Sequence, residues 1–431
     1  MPPAREELER VFREEYGLII ASLIRRSGSF DLAEESLQEA FSAALTNWEQ
    51  DGTPTNPAAW LTRVAQRKLV DMLRREKTKS DKQPELEFET QRLQERLQDG
   101  NEGGSPPSSE EDLESRLEYQ DDRLRLIFTC CHPSLSEEAQ VALTLRTLGG
   151  LATSEIARAF LLPEPTLAQR LVRATNRIRI ARIPYQVPAL EVLPQRLASV
   201  QAVVYLIFNE GYAATSGDSL IRRDLCAEAI RLGRLLCRLM PDEPENLGLL
   251  ALMLLQDSRR DARINGRGEL VTLEEQDRSF WDRIEIEDGL RLIETALRLR
   301  RVGAYQLQAA IAAVHAEAKA ALETDWQQIV ALYAELKRIN PSPIVALNHA
   351  VAVAMSEGCE QGLRLIEAAG VGGKLDHYYF FHAARADLLR RLDRTQEARA
   401  AYSRALRLTA NQVEQKYVRR RLEEATKNGD A

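Results

Sequence analysis

Cys130-Cys131-His132 is the one place in this sequence where cysteine and histidine side chains, ligands for a metal, stand together. A zinc site needs four such ligands with spacers between them. No second Cys/His pair lies nearby in sequence, so the two thiols are read as small packing groups and no metal is expected. The remaining histidines, His315, His349, His377 and His382, are scattered. There is no phosphate-binding glycine loop, no HExxH pair and no nucleophile elbow, so neither catalysis nor a cofactor is expected.

Cationic side chains are more informative. Between residues 63 and 82, Arg63, Arg67, Lys68, Arg74, Arg75, Lys77, Lys79 and Lys82 face only Asp71, Glu76 and Asp81. Between residues 164 and 182, Arg170, Arg173, Arg177, Arg179 and Arg182 face Glu164 alone. Residues 85–122, between these blocks, hold thirteen carboxylates against three arginines. The net charge of −7 over 431 residues shows that the chain is not basic as a whole. Charge sorted into blocks points instead to polyanion contacts at two separate places.

The elements that must carry these blocks read as helices throughout. Apolar residues recur at i, i+3 and i+4, alternating runs are absent, and Ala, Leu, Arg and Glu dominate, which predicts an all-α protein. Residues 8–26 make a first helix that Gly28 breaks. Asp31 is placed to cap a second, residues 32–48, with Ala33, Leu37, Ala40, Phe41 and Ala44 inward. Pro57 opens a third, residues 58–77, that buries Trp60, Leu61, Val64, Ala65, Leu69 and Leu73 and carries the first basic block outside.

Residues 135–182 read as two short helices and a longer one. Thr153 is placed to cap the second, residues 154–160, and Leu161-Leu162-Pro163 makes a turn. Glu164 and Pro165 then open a helix with two sides. Leu167, Leu171, Ala174 and Ile178 face inward, while Thr166, Gln169, Arg170, Arg173 and Arg177 face outward. That is helix-turn-helix geometry.

Residues 31–41 (DLAEESLQEAF), 59–65 (AWLTRVA) and 71–75 (DMLRR) resemble region 2 of the extracytoplasmic-function sigma factors, within the sigma-70 family. The helix-turn-helix resembles their region 4, with Glu155-Ile156-Ala157, Thr166, Arg170, Arg173 and Ala174 in matching places. The resemblance implies a bacterial initiation factor that docks on core RNA polymerase and directs it to promoter DNA. It implies polymerase contacts at Asp31, Glu34, Glu35, Gln38 and Glu39, on a face whose carboxylates suit a basic partner. It implies DNA contacts at Arg63, Arg67, Lys68, Arg74 and Arg75, with a flipped base taken near residues 48–56, and upstream contacts at Thr166, Gln169, Arg170, Arg173 and Arg177. Two positions depart from the family pattern. Leu161 stands where the turn commonly has glycine, and Ala168 where a lysine is frequent.

The domains expected are 1–78 for region 2, 79–122 for an acidic flexible linker, 123–184 for region 4 and 185–431 for a helical repeat. The linker, whose residues 85–122 carry −10, is expected to thread the polymerase cleft along the later path of nucleic acid. In the repeat, residues 305–321 pair with 326–338, 343–357 with 361–369, and 377–391 with 395–408. Tyr379, Ala383, Ala386, Leu389, Ala398, Tyr402, Ala405 and Leu406 show the small-and-large alternation of a tetratricopeptide unit. A charged insertion, residues 257–282, reads as a solvated loop before a ligand site. The runs 205–212 (YLIFNEGY) and 129–133 (TCCHP) resemble the sigma-factor subgroup with a C-terminal tetratricopeptide-like extension. There the extension governs activity, through a regulatory protein or an intramolecular contact.

Five cysteines without CxxC spacing fit a reducing compartment, no apolar run approaches a membrane span, and the N-terminus is charged. A soluble, cytoplasmic protein is expected, without a membrane partner. The alternatives are a conventional helix-turn-helix regulator with a repeat-type sensing domain, and a scaffold that never touches DNA.

Overall fold

The structure is a computed structural model that describes residues 4–79, 122–160 and 162–427. The linker expected at 79–122 and Leu161 of the expected turn therefore lie almost wholly outside the described residues. Among the described residues the regular elements are helices, except for two paired strands of two residues each, β1 (Ser216–Gly217) and β2 (Ala410–Asn411), which run parallel, and one isolated antiparallel bridge between Ile264 and Leu270. It divides into two units, Met1–Arg158 with Leu162–Val203, and Ala159–Leu161 with Val204–Ala431.

In the first unit, α1 (Ala4–Ser27) stops where Gly28 takes φ +65°, a conformation glycine adopts without cost. The next helix, α2 (Phe30–Asp51), is capped by Ser29, whose hydroxyl accepts from Leu32 N at 3.3 Å. The expected cap, Asp31, lies inside the first turn, because the hydroxyl two residues earlier reaches the free N–H first. Pro57 opens α3 (Pro57–Lys79), and the Asn56 side chain accepts from Ala59 N at 3.1 Å. Ile19, Ile20, Leu23, Leu37, Leu61 and Leu69 are fully buried where these three helices meet. Trp60, Val64, Leu73 and Phe41 are half-buried, at the margin of that core.

Helix α4 (residues 122–130) and α5 (Glu137–Thr147) lead to α6 (Thr153–Ala159) and α7 (Glu164–Ile180). Thr153 is the first residue of α6 rather than its cap. The Glu155 carboxylate reaches back to accept from Ala152 N, just before the helix, at 2.7 Å. Leu167, Ala174 and Ile178 are buried as expected, with Leu171 half-buried beside them. Gly17 of α1 lies against the Leu148 backbone, so a side chain there would meet the Leu148 carbonyl oxygen at 3.0 Å. Asp122 belongs to the acidic run by sequence yet is fully buried, bridging Arg25 at 2.8 Å and Arg125 at 2.9 Å. Burial raises its pKa, and both arginines oppose that shift.

Helix α8 (Leu193–Tyr212) runs from the first unit into the second. There follow α9 (Arg223–Leu239), α10 (Pro244–Asp257), α11 (Arg283–Arg298), α12 (Ala304–Glu317), α13 (Trp326–Ile339), α14 (Pro343–Glu357), α15 (Cys359–Gly370), α16 (Tyr379–Arg391), α17 (Thr395–Leu408) and α18 (Gln412–Lys427). From α12 onward each helix packs on the next, giving the pairs α12/α13, α14/α15 and α16/α17 that the periodicity predicts. Ala386, Leu389, Ala398, Tyr402 and Ala405 form one buried cluster, with Tyr379, Ala383 and Leu406 against it. The end of this unit returns to its start: Asn411, fully buried, donates to the carbonyls of Ala214 at 3.0 Å and Ser219 at 2.9 Å. The insertion between α10 and α11 is not a solvated loop. It folds through two short 3-10 turns and buries Trp281 among Ala251, Leu252, Leu255 and Ile286.

Candidate nucleic-acid interface

Arg63, Arg67 and Arg74 are spaced i, i+4 and i+11 along α3, which places them on one face, opposite buried Leu61, Ala65, Leu69 and Met72. Arg63, Arg67, Arg74 and Arg75 are exposed, with Arg74 near Asp71 at 3.8 Å. Lys68 is half-buried and paired with Glu39 of α2 at 2.9 Å. The aromatic pair at the base of this helix is closed: Trp48, 3% exposed, meets Trp60 edge-on at 5.6 Å between ring centroids. Because α2 continues to Asp51, the connecting loop is only Gly52 to Asn56, and the Trp48 ring is not available to stack on a base.

The α2 carboxylates fall into two groups. Asp31, Glu35 and Gln38 are exposed. Glu34 and Glu39 are half-buried, Glu34 in an ion pair with Arg146 of α5 and Glu39 with Lys68. The Gln38 amide donates to Glu34 Oε1 at 3.4 Å. Sequence reasoning missed Arg146 altogether, since its partner lies more than a hundred residues away and nothing in the local pattern marks it.

On α7, Thr166, Gln169, Arg173 and Arg177 are exposed along one face. Arg170 is half-buried, near Glu138 at the start of α5. The Glu138 carboxyl is held below the usual range by its own backbone N–H, then by the Ser136 hydroxyl, with Arg170 adding to the effect. Helix α7 starts with extended Pro163, whose carbonyl accepts from Thr166 N at 3.0 Å and Leu167 N at 3.2 Å, so its first turn is ordered without a side-chain cap.

Cys130 and Cys131 are buried against α5, where their sulfurs lie 3.2 Å from Thr147 Oγ1 and 3.6 Å from Thr144 Oγ1. Burial raises both thiols, Cys131 to about 12, so each stays protonated and packs as a small apolar group.

Two cationic helix faces thus stand on separate elements, each backed by a packed core. Residues 11–79 match sigma-70 region 2 and residues 125–178 match sigma-70 region 4. Residues 196–297 match a family of unknown function, DUF6596. An uncharacterized protein of Rhizobium meliloti (strain 1021) is 44% identical over 407 residues, covering 94% of this chain and 92% of that relative. No solved structure matches the chain. The chain belongs to the sigma-70 family, as an extracytoplasmic-function sigma factor with a C-terminal helical extension. It directs promoter-specific transcription with core RNA polymerase and promoter DNA as partners. No helix among the described residues is long and apolar enough to cross a membrane.

Proposed function

We propose that α3 and α7 hold the promoter through the faces described above. Arg63, Arg67, Lys68, Arg74 and Arg75 meet the downstream element, and Thr166, Gln169, Arg170, Arg173 and Arg177 the upstream one. The observation that carries this reading is the pairing of position with exposure, since both basic rows fall within the matched regions and face away from their buried stripes. Phosphate contacts set register on the duplex, and the first turns of α7 are the part that reaches base edges. Asp31, Glu34, Glu35, Gln38 and Glu39 form the polymerase-binding face in this reading, and the protein acts in the cytoplasm without an enzymatic activity of its own. The helical repeat governs initiation in this reading, because an array of helix pairs offers a large surface to a regulator or to the rest of the chain.

Reconstitution tests the whole. Core polymerase, purified protein and fragmented genomic DNA should yield defined transcript starts, and charge reversal at Arg173 and Arg177 should abolish them. Starts that survive this reversal, or the absence of any complex with core polymerase, would refute the reading. Binding to duplex promoter without polymerase would favour a conventional regulator instead.

A further inference from the structure

The insertion between α10 and α11 sets three of its arginines against aromatic rings rather than against its carboxylates. The Arg263 guanidinium carbon lies 3.6 Å from the Tyr212 ring centroid, and those of Arg259 and Arg278 lie 5.8 Å and 4.8 Å from the Trp281 ring. Arg263, Arg278 and Trp281 are 9%, 5% and 3% exposed, and half-buried Arg259 is where the cluster meets solvent. Arg260, next in sequence to Arg259, shows the contrast. It holds Asp257 at 2.7 Å, Asp282 at 3.3 Å and Glu285 at 2.8 Å. Arg259, Arg263 and Arg278 form no ion pair with any described residue, and Glu414 and Glu323 act on Arg263 and Arg278 only at longer range.

Their hydrogen bonds go to neutral acceptors. Arg259 Nη2 donates to Tyr212 Oη at 3.0 Å, and Arg263 Nη1 to the Tyr212 carbonyl. Arg278 donates to the carbonyls of His315 and Ala318 and to Thr324 Oγ1 at 3.2 Å. Arg259 Nε, Arg278 Nε and Trp281 Nε1 are buried with no acceptor among the described residues. His315, against the same arginines, is pushed down to about 3 by burial and then by Arg259 and Arg278, so it adds no charge of its own at neutral pH.

An unmet buried N–H is unfavourable, the more so when the donor is charged, and neutral acceptors leave the charge of a buried cation without a counter-ion. Three guanidiniums packed about the Tyr212 and Trp281 rings, with three unmet donors beside them, are completed by an oxyanion, whose geometry the guanidinium fork matches. We propose that Arg259, Arg263 and Arg278, with Tyr212 and Trp281, form a binding site for a phosphoryl dianion in the second unit. A monocarboxylate would leave most of the charge unmet. A phosphoryl group carries close to two negative charges and three strong acceptor oxygens, which suits this donor set. The site stands on its own geometry, independent of how the repeat acts on transcription.

The test is calorimetric titration of the full chain at constant ionic strength with inorganic phosphate and with phenyl phosphate, which separate the free ion from an ester. Saturable binding of either is expected, together with a rise in melting temperature that chloride does not give. Arg259→Gln should weaken binding at least tenfold, whereas Arg267→Gln, an exposed arginine of the same insertion, should leave it unchanged. If Arg259→Gln alters the circular dichroism spectrum, Arg263→Lys replaces it, keeping the charge but losing the fork. No saturable binding of either phosphate, or equal binding by wild type and the folded variant, would overturn the proposal.

Discussion

Replacing Arg173 and Arg177 together with alanine tests whether α7 grips phosphates. These residues are the cleanest choice on the helix. Both are exposed, one turn apart and outside any ion pair among the described residues, whereas half-buried Arg170 lies near Glu138. Exposed substitutions of this kind change stability by about 0.5 kcal/mol or less. Each phosphate contact contributes about 0.9 to the slope of log affinity against log salt, so losing two should shallow that slope by about 1.8. Between about 50 mM and about 200 mM potassium chloride, a fourfold change, the variant should lose about 12-fold less affinity than the wild type. Fluorescence anisotropy of holoenzyme on a promoter mapped from its own transcript starts measures the slope directly. An unchanged slope with weakened binding would mean that these arginines do not touch phosphate. A fall in melting temperature of several degrees would mean that α7 needs them for folding.

The remaining expectations concern contacts elsewhere in the fold. Arg146→Ala frees Glu34, and since partly exposed ion pairs are worth at most about 1 kcal/mol, affinity for core polymerase should rise by up to about fivefold, measured by competition; equal or weaker binding would exclude Glu34 as a contact that Arg146 masks. Asn411→Ala removes two donated bonds and the side-chain acceptor for Val413 N at 2.9 Å, so unfolding of the second unit should lose about 3–5 kcal/mol in urea titration. A loss under about 1 kcal/mol would show that this closure is solvent-bridged. His315 is depressed from 6.5 to about 3, so the unfolded chain takes up its proton first as pH falls. Its contribution is fully present above about pH 6.5 and lost toward about pH 3, roughly 2 kcal/mol by about pH 5. His315→Gln should therefore flatten the urea midpoint between about pH 7 and about pH 5, and a slope like that of the wild type would place His315 in contact with water.

What the sequence determined by itself is what repeats locally. Helical periodicity, Gly28, Pro57 and the Glu164-Pro165 start mark the helices of the first unit, and the inward stripe of α7 separates Leu167, Ala174 and Ile178 from the row containing Arg173. These follow from 3.6-residue geometry and from backbone preferences that act over a few residues. Caps were legible only to within a turn, because more than one nearby side chain can accept from the free N–H groups at a helix start: Ser29 takes Leu32 N, and Glu155 takes Ala152 N. The tertiary structure alone decided which charges are available. Glu34 and Glu39 look like Asp31 and Glu35 in sequence, yet cationic partners reach them from other helices. Asp122 counts as linker charge until Arg25 and Arg125 enclose it. Arg260 and Arg259 are neighbours in the chain, but one lies among carboxylates and the other against Tyr212 and Trp281. Charge is written in the sequence, whereas its solvation depends on which distant segments fold against it.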